Sequence, residues 1–468
     1  MKRNILIIIA LLMIVPSLFS RQPDITGSWL GKINAGGVQL RIIFNIKIND
    51  KGEYIATMDS PDQAVRGIPM DEVTFSADSL IISSSSLRGE YNAQMVSDKS
   101  LKGIWVQAGI KYDLDLIKQT EPFAIQRPQE PKPPYPYHEE NITFPSVSGK
   151  FTLAGTLSLP YGDGPFPSVI LVSGSGSQNR DEEISGHKPF KVIADHLTRG
   201  GIAVLRYDDR GVGESGGNPA GATTADLTGD ARSAIEYLLS REETGNNSIG
   251  IIGHSEGGLI AMKLAAGNED IAFIVSLAGP GLKGRTILED QTAYISRLNN
   301  VPEEIIKQSM QINNIIYDLI EKYDDPGKGI DAIHSSVRDF YQAEGKGEEI
   351  INQILENISR TINTSSYPWL RYFIQSDPDE YFPDIYCPVL ALNGEKDCQV
   401  IAESNINAIV SRLESYGNSD VTGVILPGLN HLFQSAETGL PDEYGKIEQT
   451  ISPAVTVLIL NWIRERVY

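Results

Sequence analysis

Three short stretches hold residue types that can carry nucleophilic chemistry: "GHSEGG" around Ser255, "NGEKDCQV" with Glu395 and Asp397, and "GLNHLF" with His431. A serine hydroxyl is a poor nucleophile until a histidine takes its proton, and that histidine needs an acid to hold its tautomer and stabilise its cation. Gly-x-Ser-x-Gly is weak evidence alone in a chain with 43 glycines, and Gly213-Glu214-Ser215-Gly216-Gly217 matches it too. Context separates the two. A nucleophile elbow needs a strand, a strained tight turn and a helix that starts at once. Ser255 has the apolar "IGII" before it and "GLIAMKLAA" after it, whereas Ser215 stands between "DDRGVGE" and "GNPAG", which cannot start a helix, and reads as a loop serine.

Of the six histidines, His254 lies inside the turn, His138 in a proline-rich stretch, His187 in an earlier loop, His196 in a helix and His334 in a helical insertion. His431 remains as the base. It follows the last strand pattern, so the order nucleophile, acid, base puts the acid between Ser255 and His431. Glu395 and Asp397 both follow the strand "CPVLALNG"; the extra room to turn back favours Asp397. A tetrahedral intermediate needs two backbone donors. One is the amide of Glu256, and the other falls in Ser173-Gly174-Ser175-Gly176, with Ser175 first and Gly176 next.

The elements that must position these residues follow a clear pattern. Residues 1–20 carry Lys2 and Arg3, an apolar run from Ile5 to Val15, then Pro16 and smaller residues. That is the layout of a secretory signal peptide, and the run is too short to span a bilayer, so a secreted or periplasmic protein is expected, with no membrane contact after cleavage. Residues 24–120 alternate apolar and polar positions in short runs broken by turn residues, indicating a small all-β domain, a sandwich or barrel. Residues 121–140 are rich in proline, which fixes φ and lacks an amide hydrogen, and read as a linker. From 141 to 468, apolar strands alternate with helices, the pattern of a mostly parallel, doubly wound α/β sheet. Residues 282–382 interrupt it with almost no strand signal. Ile305, Ile306, Met310, Ile315, Ile316, Leu319, Ile320 and Tyr323 recur there at helical spacing, which implies a helical cap over the sheet's carboxyl edge.

"SGSGSQNRDE", "LRYDDRGVGES", "GHSEGG", "CPVLALNGEKDCQV" and "GLNHLF" resemble the α/β-hydrolase superfamily, more narrowly bacterial serine esterases of an S9-like branch with a helical cap and a small β domain in front. The resemblance covers Asn141 to Tyr468 and extends to the front domain through "GSWLGKI" and "ATMDSPDQ". It implies an α/β-hydrolase fold and a carboxylesterase acting on short to medium acyl esters, with Ser255, Asp397 and His431 as nucleophile, acid and base. The sequence departs from many members in opening its oxyanion loop with Ser173-Gly174 in place of His-Gly; the backbone donor survives that change. Asp208, Asp209 and Arg210 match the loop after the fold's fourth strand, where the aspartates are expected to accept loop amides and Arg210 to make an ion pair.

The formal charge of −20, deeper still without the leader, repels nucleic acid and anionic lipid. No His, Cys and Asp cluster has metal-ligand spacing, and Gly174-Ser175-Gly176 lacks the helix and acid of a dinucleotide fingerprint, so neither metal nor cofactor is expected. Cys387 and Cys398 are equally consistent with a single disulfide and with free thiols. Two alternatives stand beside the esterase. One is a peptidase or amidase of the same branch, although the front domain is too short for the propeller of its oligopeptidases. The other is a glycan- or surface-binding front module using Trp29 and Trp105, which are otherwise core residues. Oligomeric state is not readable.

Overall fold

The change of hydrophobic period along the chain corresponds to two separately packed units, Met1–Ala124 and Ile125–Tyr468. The structure, a computed structural model, describes residues 23–35, 38–61, 65–120 and 127–468. The export signal expected at 1–20 and the start of the proline-rich stretch, 121–126, lie outside the described residues.

In the first unit the described strands form one ten-stranded antiparallel sheet. Residues of alternate positions along Gly27–Ala35, Val38–Ile48, Ser79–Ser84 and Gly89–Ser97 converge on a single apolar core that includes Trp29, Phe44, Tyr91 and Trp105. Both tryptophans are fully buried, and their indole N–H groups donate to Ile25 O at 2.8 Å and Gln107 Oε1 at 3.2 Å. They are core residues and offer no surface contact for a ligand.

In the second unit an eight-stranded sheet runs in the order His138–Pro145, Thr152–Leu159, Ala203–Tyr207, Phe166–Val172, Thr244–His254, Ile271–Leu277, Val389–Gly394, Val421–Leu426. The first two strands form an antiparallel hairpin and the strands from Phe166 onward pair in parallel. Strand faces alternate between two cores. Ile170 and Val172 pack with helices Thr224–Leu239, Glu256–Ala265 and Ala402–Ser415, while Val169 and Leu171 pack with helices Pro189–Arg199 and Pro453–Val467. A sheet buried on both faces explains why its strands read as unbroken apolar runs.

The interruption between Ile271–Leu277 and Val389–Gly394 folds as five helices: Gly284–Leu298, Glu303–Lys322, Pro326–Ala343, Glu348–Thr361 and Tyr367–Gln375. Ile312, Ile316, Ile320, Ile333, Val337, Ile351 and Tyr367 form their common core, whereas Ile305 is exposed. The sequence pattern did not single out the first, third and fifth of these; the third is interrupted by glycines, although Asp325 caps it by accepting from Lys328 N at 2.8 Å and Pro326 opens its first turn.

The linker expected over 121–140 is anchored through Arg127, Gln129 and Glu130. The Arg127 guanidinium donates to the carbonyls of Ile447 at 2.6 Å and Gly445 at 3.1 Å, Gln129 pairs with the backbone of Thr450 and Ile451, and Glu130 faces Lys188 and Lys191. Composition fixes a proline segment's conformation but not what its side chains meet. Cys387 and Cys398 are both free, and burial pushes each thiol up to about 12.

Phe273 sits at 1 % exposure in the helix-facing core and meets Trp462 edge-on at 6.0 Å. Phe273→Ala is expected to destabilise the second unit by about 3–5 kcal/mol through the cavity it leaves, read as a lower urea midpoint.

Candidate active site

Strand Thr244–His254 and helix Glu256–Ala265 leave one residue between them, Ser255, held at φ 53° and ψ −119°. A non-glycine residue with positive φ costs on the order of 1–3 kcal/mol and persists only where its surroundings enforce it. Here Ser255 N donates to Leu277 O at 2.8 Å and Gly258 N donates to Ser255 O at 2.9 Å. The flanking glycines are sterically compulsory. A Cβ on Gly253 would lie 2.0 Å from Gly257 O, and one on Gly257 would lie 2.1 Å from Val172 O.

His431 and Asp397 follow the last two strands, and their side chains meet, with His431 Nδ1 2.7 Å from Asp397 Oδ2. The other carboxylate oxygen accepts from Gln399 N at 2.7 Å and Val400 N at 2.9 Å, so the buried acid is fully paired. Glu395 instead accepts Gly428 N at 2.8 Å and does not reach the imidazole. Asn430, fully buried, shapes the histidine's turn by accepting from Leu432 N and Gln434 N at 3.0 and 2.9 Å. Ser255 and His431 line one cavity of about 430 Å³ together with Gly174, Ser175 and Glu256.

The amide of Glu256 opens a helix, so it has no intrahelical acceptor, and the helix dipole adds positive potential there. Gly174 N donates to Glu182 Oε1 at 2.8 Å and is thereby taken, whereas the donors expected from the sequence are the next residues, Ser175 and then Gly176. Ser215 is a buried loop serine, donating to Asp208 O at 2.7 Å and accepting from Ala154 N at 2.9 Å.

Three features escaped the sequence reading. The His254 ring is buried between Glu182 Oε1, 2.8 Å from Nδ1, and His431 O, 3.0 Å from Nε2. Burial opposes its charging, but the Glu182 carboxylate outweighs this and holds the imidazole above its ordinary value. The Glu256 side chain, next to Ser255, accepts from Thr224 Oγ1 at 2.6 Å and from the cap indole of Trp369 at 2.9 and 3.0 Å. Burial raises that carboxyl. Trp369 and Ser175 also line a neighbouring cavity of about 610 Å³ that reaches Arg210, Leu227 and Ser366.

The aspartates of "YDDRG" serve the oxyanion loop. Asp208 accepts Arg180 N at 2.8 Å, Asp209 accepts Gln178 N at 2.9 Å and Ser173 Oγ at 3.0 Å, and Arg210 pairs with Asp230 at 2.6 Å. Among the described residues no group of His, Cys, Asp and Glu could hold a metal ion, and no helix is long and apolar enough to cross a membrane.

The fold and the elbow make the chain an α/β-hydrolase of the serine hydrolase class. Residues 186–326, less than a third of the chain, match the family model described as serine aminopeptidase, S33. The narrower S9-like resemblance is not carried further. Esterase EstD of Thermotoga maritima is 26 % identical over 365 residues, 77 % of this chain and 73 % of that protein. Acyl-coenzyme A thioesterase 3 of Mus musculus is 25 % identical over 235 residues, 48 % of each chain. The solved structure of Est1E from Butyrivibrio proteoclasticus superposes with a TM-score of 0.41 at 16 % identity, covering 70 % of this chain and 98 % of that one.

Burial pushes the Asp209 carboxyl up to about 7, its two hydrogen bonds pulling only part of the way back. The folded state then keeps a proton that the unfolded chain releases from about pH 4 upward, so this group's contribution to stability falls as pH rises from about 4 to about 7 and is level above. Urea midpoints of wild type and Asp209→Asn at about pH 4.5 and about pH 7.5 check this: the variant gains on wild type at the higher pH, and parallel curves would contradict the assignment.

Proposed function

We propose that the protein is a carboxylesterase working through an acyl-enzyme, with Ser255 as nucleophile, His431 as general base then acid, and Asp397 holding the imidazole. The observation that carries this reading is the 2.7 Å His431–Asp397 pair lining the same cavity as the strained Ser255. His431 takes the Ser255 proton as Oγ attacks the ester carbonyl, and the oxyanion is held by the Glu256 and Ser175 amides. Collapse expels the alcohol, which leaves with the proton from His431. Water activated by the same imidazole then releases the acid. Ile287, Leu288, Phe373 and Leu432 give the cavity apolar walls suited to a short or medium acyl chain. The relationship to Esterase EstD supports an ester as substrate. The amino-terminal signal pattern supports action outside the cytoplasm.

The match to a serine aminopeptidase model favours a second reading, cleavage of an aminoacyl amide. Binding an α-ammonium group calls for an available carboxylate near the nucleophile. The carboxylates that line the cavity, Glu182 and Glu256, already accept from His254 and Gly174 and from Thr224 and Trp369 respectively. The ester is therefore the better fit.

The purified protein is expected to hydrolyse p-nitrophenyl esters, with kcat/KM falling for long chains, and Ser255→Ala to lose about 10⁴-fold or more in kcat. Equal rates from wild type and Ser255→Ala, or a preference for aminoacyl p-nitroanilides, would overturn the esterase assignment.

A further inference from the structure

Resting on the reading of Ser255 and His431 just given, the geometry points to His254 and Glu182 as positioning residues that lock the oxyanion loop to the base-bearing loop beneath the nucleophile. A continuous chain of hydrogen bonds carries this inference. Gly174 N–H donates to Glu182 Oε1 at 2.8 Å, the same oxygen lies 2.8 Å from His254 Nδ1, and His254 Nε2 lies 3.0 Å from the carbonyl oxygen of His431. Glu182 and His254 are 1 % and 3 % exposed, so water cannot replace a missing partner. The chain starts at the residue before Ser175, passes through the residue before Ser255, and ends on the backbone of the base.

Counting protons shows how tightly the unit is specified. A backbone carbonyl only accepts, so His254 Nε2 must carry hydrogen. Glu182 Oε1 already accepts from Gly174, and as a carboxylate it only accepts, so His254 Nδ1 must carry hydrogen as well. The ring is then an imidazolium neutralised by Glu182. The other ionisable groups facing it are Asp397 and the His431 ring, whose centroid lies 4.8 Å away.

Glu182→Gln preserves shape but cannot serve all three bonds. A neutral His254 that keeps Nε2–H for His431 must accept at Nδ1 from the glutamine amide, which leaves Gly174 N–H unpaired or its loop turned. A His254 that keeps Nδ1–H sets a bare Nε2 against the His431 carbonyl. His254→Gln severs the His431 arm while Glu182 still accepts from Gly174.

The experiment uses the full chain. Stoichiometric labelling by a fluorophosphonate counts folded, reactive Ser255 in each variant. Against p-nitrophenyl acetate, Glu182→Gln is expected to lose about 10²-fold in kcat with KM within about threefold, because oxyanion donors act in the transition state. Affinity for an alkyl trifluoromethyl ketone, which forms a tetrahedral adduct on Ser255, should fall by the same factor as kcat/KM, a proportionality that a loss of folded protein would not produce. His254→Gln should lose about tenfold, and it carries the test if Glu182→Gln does not fold. Wild-type kcat and ketone affinity in the folded variants would overturn the proposal. Full hydrolysis by Ser255→Ala would instead overturn the reading beneath it, and the two failures are distinguishable.

Discussion

The close approach of strand Thr244–His254 to helix Glu256–Ala265 is the constraint on which the site depends. Only one residue separates them, and neither Gly253 nor Gly257 has room for a Cβ. The turn therefore holds Ser255 at positive φ, lifting its hydroxyl into the cavity and aligning the unpaired Glu256 amide at the start of a helix. The placement of the Ser255 side chain at the cavity and the position of the Glu256 amide at the helix start are two consequences of the same packing.

Buried carboxyls organise what surrounds this turn, each compensated differently. Asp397 accepts two amides and faces His431. Glu182 faces an imidazole and an amide, and Glu256 takes a hydroxyl and an indole N–H. Asp209 accepts an amide and a hydroxyl, and burial pushes its carboxyl up to about 7. Charges that cost free energy to bury are kept because each fixes loops that no regular secondary structure could hold.

Glu256 also joins the hydrolase core to the cap. Its contact with Trp369 brings helix Tyr367–Gln375 to the residue after Ser255, and Trp369 and Ser175 border both cavities. The cap thus shapes the cavity that Ser255 lines. The front unit contributes a separate core in which its large aromatics are consumed by packing.

The sequence by itself determined the strand and helix alternation, the inserted helices and the order Ser255, Asp397, His431, because hydrophobic period and turn chemistry are local properties. It favoured Asp397 over Glu395 only on the room to turn back; in the folded loop Glu395 accepts Gly428 N and Asp397 faces His431. The third cap helix was hidden because its glycines depress helical propensity while its core contacts override it. Arg127, Glu182, His254 and Trp369 were illegible for a different reason. Their partners lie far along the chain, at Ile447, His254, His431 and Glu256, and such pairings exist only once the sheet has brought those loops together.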